Sequence, residues 1–129
     1  MPHAPLKPQP ADAPPRRWRG KWIWQAGAGP ATNAFVLFRR EFDLASRPEE
    51  ALLHISADTR YALYVNGSFA GQGPPQSQPF LQYYDTRDIA RLLEAGRNCL
   101  GVLVYHSGLI PDTRGGLLAE LEDPLGRAL

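Results

Sequence analysis

Four groups of residues in this chain have side chains suited to binding or reaction. Asp58 and Arg60 lie at a turn between two runs of alternating residues. A carboxylate and a guanidinium at a loop can hydrogen-bond the hydroxyls of a polyol, and the carboxylate is a candidate Ca²⁺ ligand. The favoured reading is plainer: Asp58 caps the turn and Arg60 pairs with it. Tyr83 and Tyr84 precede Asp85. Tyrosine has a flat apolar face and a polar tip, which suits it to stacking on a sugar ring. In an extended stretch one of the two points inward and the other outward. His106 closes an apolar run beside the loop 107–116, where it is a candidate ligand or, more commonly, a loop residue bonded to backbone. Trp18, Trp22 and Trp24 share parity. A row of indoles can stack on a pyranose, but tryptophan also covers the margins of small cores, and packing is the preferred reading.

Other chemistries find little support. Gly27-Ala28-Gly29-Pro30 and Gly71-Gln72-Gly73-Pro74 are glycine-rich, yet neither opens a helix after a strand, so no phosphate cradle is expected. The adjacent carboxylates Glu49-Glu50 and Glu122-Asp123 read as solvated turn charges. One cysteine, Cys99, excludes an internal disulfide framework and a cysteine-based zinc site. With His3, His54 and His106 as the only histidines, neither a histidine-rich metal centre nor a nucleophile–histidine–acid triad can be argued. Against 13 acidic residues stand 14 basic ones, a formal charge of +1, which makes no case for nucleic acid. No apolar run reaches the ~18 residues that span a bilayer. The first 30 residues hold no signal-peptide hydrophobic region, so a cytoplasmic, reducing location is expected.

Positioning such residues falls to short strands. The 129 residues suit one domain. Residues 1–21 carry five cations against one anion, and six of the 13 prolines lie in the first 15 residues. Proline fixes φ and removes a donor, so residues 1–17 read as a flexible, basic tail and 18–129 as the folded domain. Leu53 and Ile55 alternate with His54 and Ser56, as in a half-buried strand. Tyr61, Leu63 and Val65 form a second apolar face, and Asn66-Gly67 follows at once. Asn-Gly tolerates positive φ at both centres of a type I′ turn, so a hairpin closes there. Phe35 to Phe42 is a third strand with Val36, Phe38 and Phe42 on one face. Arg40 interrupts that face, which suggests a bulge near Arg39-Arg40. Residues 100–105 are apolar on both faces, as in a central strand. Residues 117–122 alternate more weakly. Ile89, Leu92 and Leu93 stand at i, i+3 and i+4 and suggest one short helix, capped by Asp85 or Thr86 and ended by Gly96. Many short strands with Gly/Pro turns indicate an all-β antiparallel sandwich.

The run Ala57-Asp58-Thr59-Arg60-Tyr61-Ala62-Leu63-Tyr64-Val65-Asn66-Gly67 is followed by Gly73-Pro74, Tyr83-Tyr84-Asp85-Thr86-Arg87-Asp88-Ile89, Gly96-Arg97-Asn98 and Val104-Tyr105-His106. In this order and spacing the chain resembles the N-terminal accessory domain of bacterial α-L-rhamnosidases, from about Trp22 to Glu122. Asn-Gly after a strand is generic; the Ala-Asp-x-Arg-Tyr and Tyr-Tyr-Asp-Thr runs are more particular. The resemblance implies a galactose-binding-like jelly roll with one short connecting helix. It also implies that the acid and base of an inverting hydrolysis lie in a separate helical barrel, several hundred residues in size.

The expected role is therefore a non-catalytic accessory domain of an α-L-rhamnosidase-like glycoside hydrolase, supporting its architecture and contacting sugar. The alternatives are a free carbohydrate-binding protein and a structural interaction domain without ligand. The partners implied are the catalytic barrel and a rhamnoside-type carbohydrate, with no nucleic acid or membrane and no cofactor beyond Ca²⁺ at Asp58. Family members continue through a returning strand, which Arg127-Ala128-Leu129 would begin, so a domain cut short at that end is expected. The carbohydrate-binding candidates are Asp58, Arg60, Tyr83, Tyr84, His106, Trp22 and Trp24, with Asn66 and Gly67 as the structural turn.

Overall fold

Alternation of apolar and polar residues becomes alternation of buried and exposed side chains in two facing sheets. The computed structural model describes residues 6–7, 16–26, 32–75, 82–109 and 115–129. The Gly27-to-Pro30 run, most of the segment read as a tail, and 110–114 of the loop after His106 lie outside them. The strands are β1 (Leu6–Lys7), β2 (Ala34–Leu44), β3 (Leu52–Asp58), β4 (Arg60–Val65), β5 (Ser68–Gly73), β6 (Gln82–Tyr83), β7 (Asp85–Asp88), β8 (Gly96–His106) and β9 (Gly116–Glu122). One sheet runs β2-β8-β4-β5 and the other β7-β3-β9, all antiparallel; β1 and β6 form a small parallel pair. The fold is the jelly-roll β-sandwich expected from the sequence. No helix among the described residues is long and apolar enough to cross a membrane.

Leu53, Ile55 and Ala57 of β3 meet Leu63 and Val65 of β4 and Val102 and Val104 of β8 in the core. Each pair of facing strands contributes every second residue, as a pleated layer requires. The hairpin closes at Asn66 (φ 49°) and Gly67 (φ 84°), both left-handed, the geometry of a type I′ turn.

Three local expectations are corrected. The pairing of β2 with β8 runs unbroken from Ala34↔His106 to Leu44↔Gly96, so Arg40 causes no bulge. Its side chain reaches solvent at the open side of the sandwich, which leaves nothing to re-aim. The register shift falls instead between Leu63 and Tyr64, against β5. The expected helix shrinks to a single 3-10 turn, Ala90–Leu92. Asp85 and Thr86, read as its cap, and Asp88, read as its start, belong to a strand that pairs with β3, and Gly96 opens β8 rather than ending a helix. Asp88 Oδ1 accepts from the Ala51 and Ala90 amides, and Ile89 and Leu93 plug the corner of the core. Finally, β3 is buried on both faces rather than one: His54 is 7% exposed and Ser56 fully covered.

Two points within the segment read as a tail have defined places. Leu6–Lys7 pairs with Gln82–Tyr83, and Arg16 lies half-buried against β9. At the other end, Ala128 bridges Glu122 and the Leu129 amide donates to the Leu121 carbonyl, so the last residues do turn back along β9.

Two substitutions test this frame. A Cβ at Gly67 meets no atom within 4 Å, so the cost of Gly67→Val comes chiefly from the positive φ; a loss of about 1 kcal/mol or more in unfolding free energy is expected from denaturant titration. Asn98→Ala strands a buried amide network and is expected to cost about 2 kcal/mol in the same measurement.

Candidate functional site

The sandwich divides the candidate residues among three places. At the end where β3 and β8 finish, Asp58 Oδ1 lies 3.6 Å from His106 Nδ1, and both side chains are largely buried. That distance is too long for a hydrogen bond, and His106 Nδ1 has no hydrogen-bond partner among the described residues. Trp24 packs edge-on to His106 at 6.1 Å and tilts against Phe38. Gly115 lies so close that a Cβ there would overlap the indole. Thr59 and Ser107 staple this end, the Ser107 amide donating to Thr59 Oγ1 at 3.0 Å. Among the described residues no group of three His, Cys, Asp or Glu side chains is placed to hold a metal ion.

Arg60 is not part of that cluster. The residues inward on β4 are Tyr61, Leu63 and Val65, so Arg60 stands on the opposite, outer face and makes no ion pair among the described residues. It is in register with Tyr105, which is in register with Phe35, the two rings lying 5.0 Å apart. The next rows bring Leu37, Leu103 and Ala62 with Gln72 at the edge, then Gly101, Tyr64 and Phe69 with Arg39 at the other edge. Phe35 is 65% exposed and Leu37 68%. This contiguous aromatic and aliphatic face was not foreseen. The only signal for it was the apolar character of residues 100–105 on both faces, which reads equally well as double burial. An exposed patch of this kind marks an interaction surface.

The third place is the outer face of the smaller sheet, and it is covered. Tyr84 is 6% exposed and stands edge-on to Trp18 at 5.2 Å and to His54 at 6.2 Å. Tyr83 is the partly exposed member of the pair, and its carbonyl accepts the Ser56 hydroxyl at 2.6 Å. Trp22 is half-buried, and Trp18 and Trp24 pack in different places, so the indoles form no continuous row. Arg16 donates to both oxygens of Glu122, at 3.0 and 2.9 Å, and to Glu120, and its guanidinium lies over Trp18. Glu120 Oε1 also accepts the Arg19 and Gly20 amides. His54 bonds Glu122 and Thr86, each at 2.8 Å.

This buried charge cluster was missed because its members are far apart in sequence. It is structural rather than reactive. The hydrogen bond from Arg16, with that from His54, holds Glu122 down to about 2 against the cost of its burial. Burial favours a protonated Glu120, but bonds from Gly20, Arg16 and Arg19 outweigh it and hold this carboxyl low as well. Neither carboxylate has a free proton to give near neutrality. A second such network joins the sheets: the Tyr61 hydroxyl donates to Asp85 and accepts from Arg87 Nε at 2.9 Å, while Arg87 also donates to the Gln72 carbonyl. Burial, together with the bond to Asp85, raises Tyr61 well above the usual phenol range.

The described residues thus form a β-sandwich with an exposed aromatic patch and with Glu120, Glu122 and Asp85 held in hydrogen bonds. Solved structures identify the kind. The chain is 44% identical to the GH78-family rhamnosidase of Bacillus sp. GL1, with a TM-score of 0.80, covering 88% of this chain and 12% of that one. The α-L-rhamnosidase of Streptomyces avermitilis complexed with L-rhamnose is 27% identical with a TM-score of 0.70, covering 89% of this chain and 11% of that one. A Pleurotus ostreatus lectin, in its apo form, is 26% identical with a TM-score of 0.56, covering 78% of this chain and 27% of that one. No protein-family pattern matches the sequence, and no curated protein does. The resemblance read from the residues therefore holds: the chain is similar, over most of its length, to a small part of α-L-rhamnosidases.

The charge cluster predicts how the fold responds to acid. Burial lowers His54 from its usual 6.5, so the unfolded chain takes that proton first and stability falls as pH drops below about 6.5. Glu122 contributes fully above about pH 4.5, and its contribution is lost as pH falls toward 2. Denaturation midpoints measured against pH are expected to decline in two stages, and His54→Asn to remove the first while leaving the second.

Proposed function

We propose that this chain is a non-catalytic accessory domain of an α-L-rhamnosidase-type glycoside hydrolase. The observation that carries this reading is 44% identity over 88% of the chain to a segment making up 12% of a rhamnosidase. The domain's role is architectural: the part of its outer sheet face around Leu37, Leu103, Tyr64 and Phe69 seats against the remainder of the enzyme, whose acid and base lie elsewhere. Carbohydrate contact is the finer part of the reading. It rests on the lectin likeness and on the band Arg60, Tyr105 and Phe35, where a guanidinium adjoins two flat rings. Cytoplasmic location and a Ca²⁺ contribution at Asp58 belong to the same proposal.

The second reading is a free carbohydrate-binding protein, favoured by the same lectin likeness. Calorimetry with L-rhamnose and rhamnosides, with and without Ca²⁺, tests the carbohydrate contact and separates a sugar-binding domain from a structural one without ligand. Saturable heat that is lost in Tyr105→Ala places sugar on the outer face; no heat leaves the architectural role alone. Aryl α-L-rhamnosides are expected to be stable to the isolated chain. Turnover that survives repurification and disappears in Asp58→Asn or Asp85→Asn would overturn the accessory reading.

A further inference from the structure

We propose that the open seam of the sandwich, between β2 and β9, binds one extended polypeptide strand that pairs with the free edge of β2 and sets a carboxylate opposite Arg40. The seam is a cavity of about 640 Å³, with Phe38, Phe42, Leu53, Leu100, Val102 and Leu121 among its walls. Its two borders differ. The border along β9 is already taken: Ile23 and Leu117 exchange two backbone hydrogen bonds, and the Leu129 amide bonds the Leu121 carbonyl. β2 is 11 residues long and, among the described residues, has only β8 as a strand neighbour. Its other edge presents a row of backbone donors and acceptors, the template onto which an extended peptide adds.

The inward side of β2 states what that peptide must carry. Val36, Phe38, Phe42 and Leu44 all have inward parity yet remain only half-buried, because among the described residues no strand lies beyond them. In their midst is Arg40, exposed and without an ion pair or hydrogen bond among the described residues. Most nearby charges are committed: Arg39 bonds Glu41, Arg19 bonds Glu122, and Glu120 is held by Arg16, while Lys21 on the same cavity wall adds a second cation. A strand that placed an apolar residue opposite Arg40 would desolvate an unpaired cation. A carboxylate there, with apolar residues two positions to either side, satisfies both the charge and the cavity.

A second copy of this chain does not meet that requirement. The inward residues of β2 are Ala34, Val36, Phe38, Arg40, Phe42 and Leu44, none of them acidic. Every two-fold pairing of β2 with itself that keeps this side inward therefore sets Arg40 against another Arg40 or an apolar residue. An inward-pointing charge on an edge strand discriminates against self-pairing in this way.

The test uses the chain with the tagged peptide Val-Thr-Leu-Thr-Glu-Thr-Leu-Thr-Val, read by fluorescence anisotropy and by amide hydrogen exchange. Saturable binding is expected, with exchange protection confined to Ala34–Leu44 and the cavity wall. Replacing the central Glu of the peptide by Lys is expected to weaken binding about tenfold or more, and Arg40→Glu in the protein to invert that preference. Affinity indifferent to the central residue, or no protection of β2, would overturn the proposal. So would protection of β2 that rises with protein concentration in the absence of peptide, since a second copy would then be the occupant. The peptide swap is made on the unaltered protein, so the result does not depend on how Arg40→Glu folds.

Discussion

The side-chain amide of Asn98 holds the register on which both sheets depend. Its oxygen accepts from Asn66 Nδ2 and the Glu94 amide, and its nitrogen donates to the Glu94 and Gly96 carbonyls. All of its main bonding positions are used at 1% exposure, which is how a buried amide avoids the cost of desolvation. Asn66 in turn bonds the Leu92 carbonyl and both backbone groups of Cys99. The hairpin tip, the 3-10 turn and the first residues of β8 are thereby one unit. Because β8 pairs with β2 on one side and β4 on the other, a slip of one residue there would turn the inward side chains of β8, Val102 and Val104, away from the core.

From that register follow the two very different outer faces. On the smaller sheet His54, Glu120 and Glu122 point away from the core, and a polar face of this kind would ordinarily be wet. The segment from Arg16 to Gly20 covers it and neutralises its carboxylates, so the charges become internal. A buried ion cluster contributes specificity of placement more than net stability, since desolvation offsets much of the attraction. The larger sheet is the reverse. At the end near Arg60 its outer residues are apolar and aromatic, and among the described residues no segment covers them; at the other end Arg39, Glu41, Asp43 and Arg97 form an exposed network of ion pairs.

The carboxylates that could suggest catalysis are likewise occupied. Glu120 and Glu122 hold the N-terminal segment, Asp85 joins the sheets through Tyr61 and Arg87, and Asp88 caps the corner turn. Asp58 and His106 form a buried pair beside Trp24. These roles accord with an accessory domain whose sequence likeness spans a small part of each rhamnosidase it matches.

How much was legible in the sequence depended on the range of the forces involved. The strands at 51–57, 61–65 and 100–105, the inward faces Leu53/Ile55 and Tyr61/Leu63/Val65, and the type I′ turn at Asn66-Gly67 could be read directly, because alternation and positive φ are local properties. The rhamnosidase resemblance was legible for the same reason, since its particular runs are contiguous. Asp88 to Leu93 misled because the spacing of three apolar residues fits a helix or a corner plug equally well, and only pairing of β7 with β3 decides between them. Whether β8 is buried on one face or two, and β3 on two faces or one, could not be seen, because the second layer over a sheet comes from segments distant in sequence. Asp58 and His106 are 48 positions apart and Arg16 and Glu122 are 106 apart. Their meeting is set by which strands lie side by side, and strand order is a property of the packed chain that no local spacing encodes.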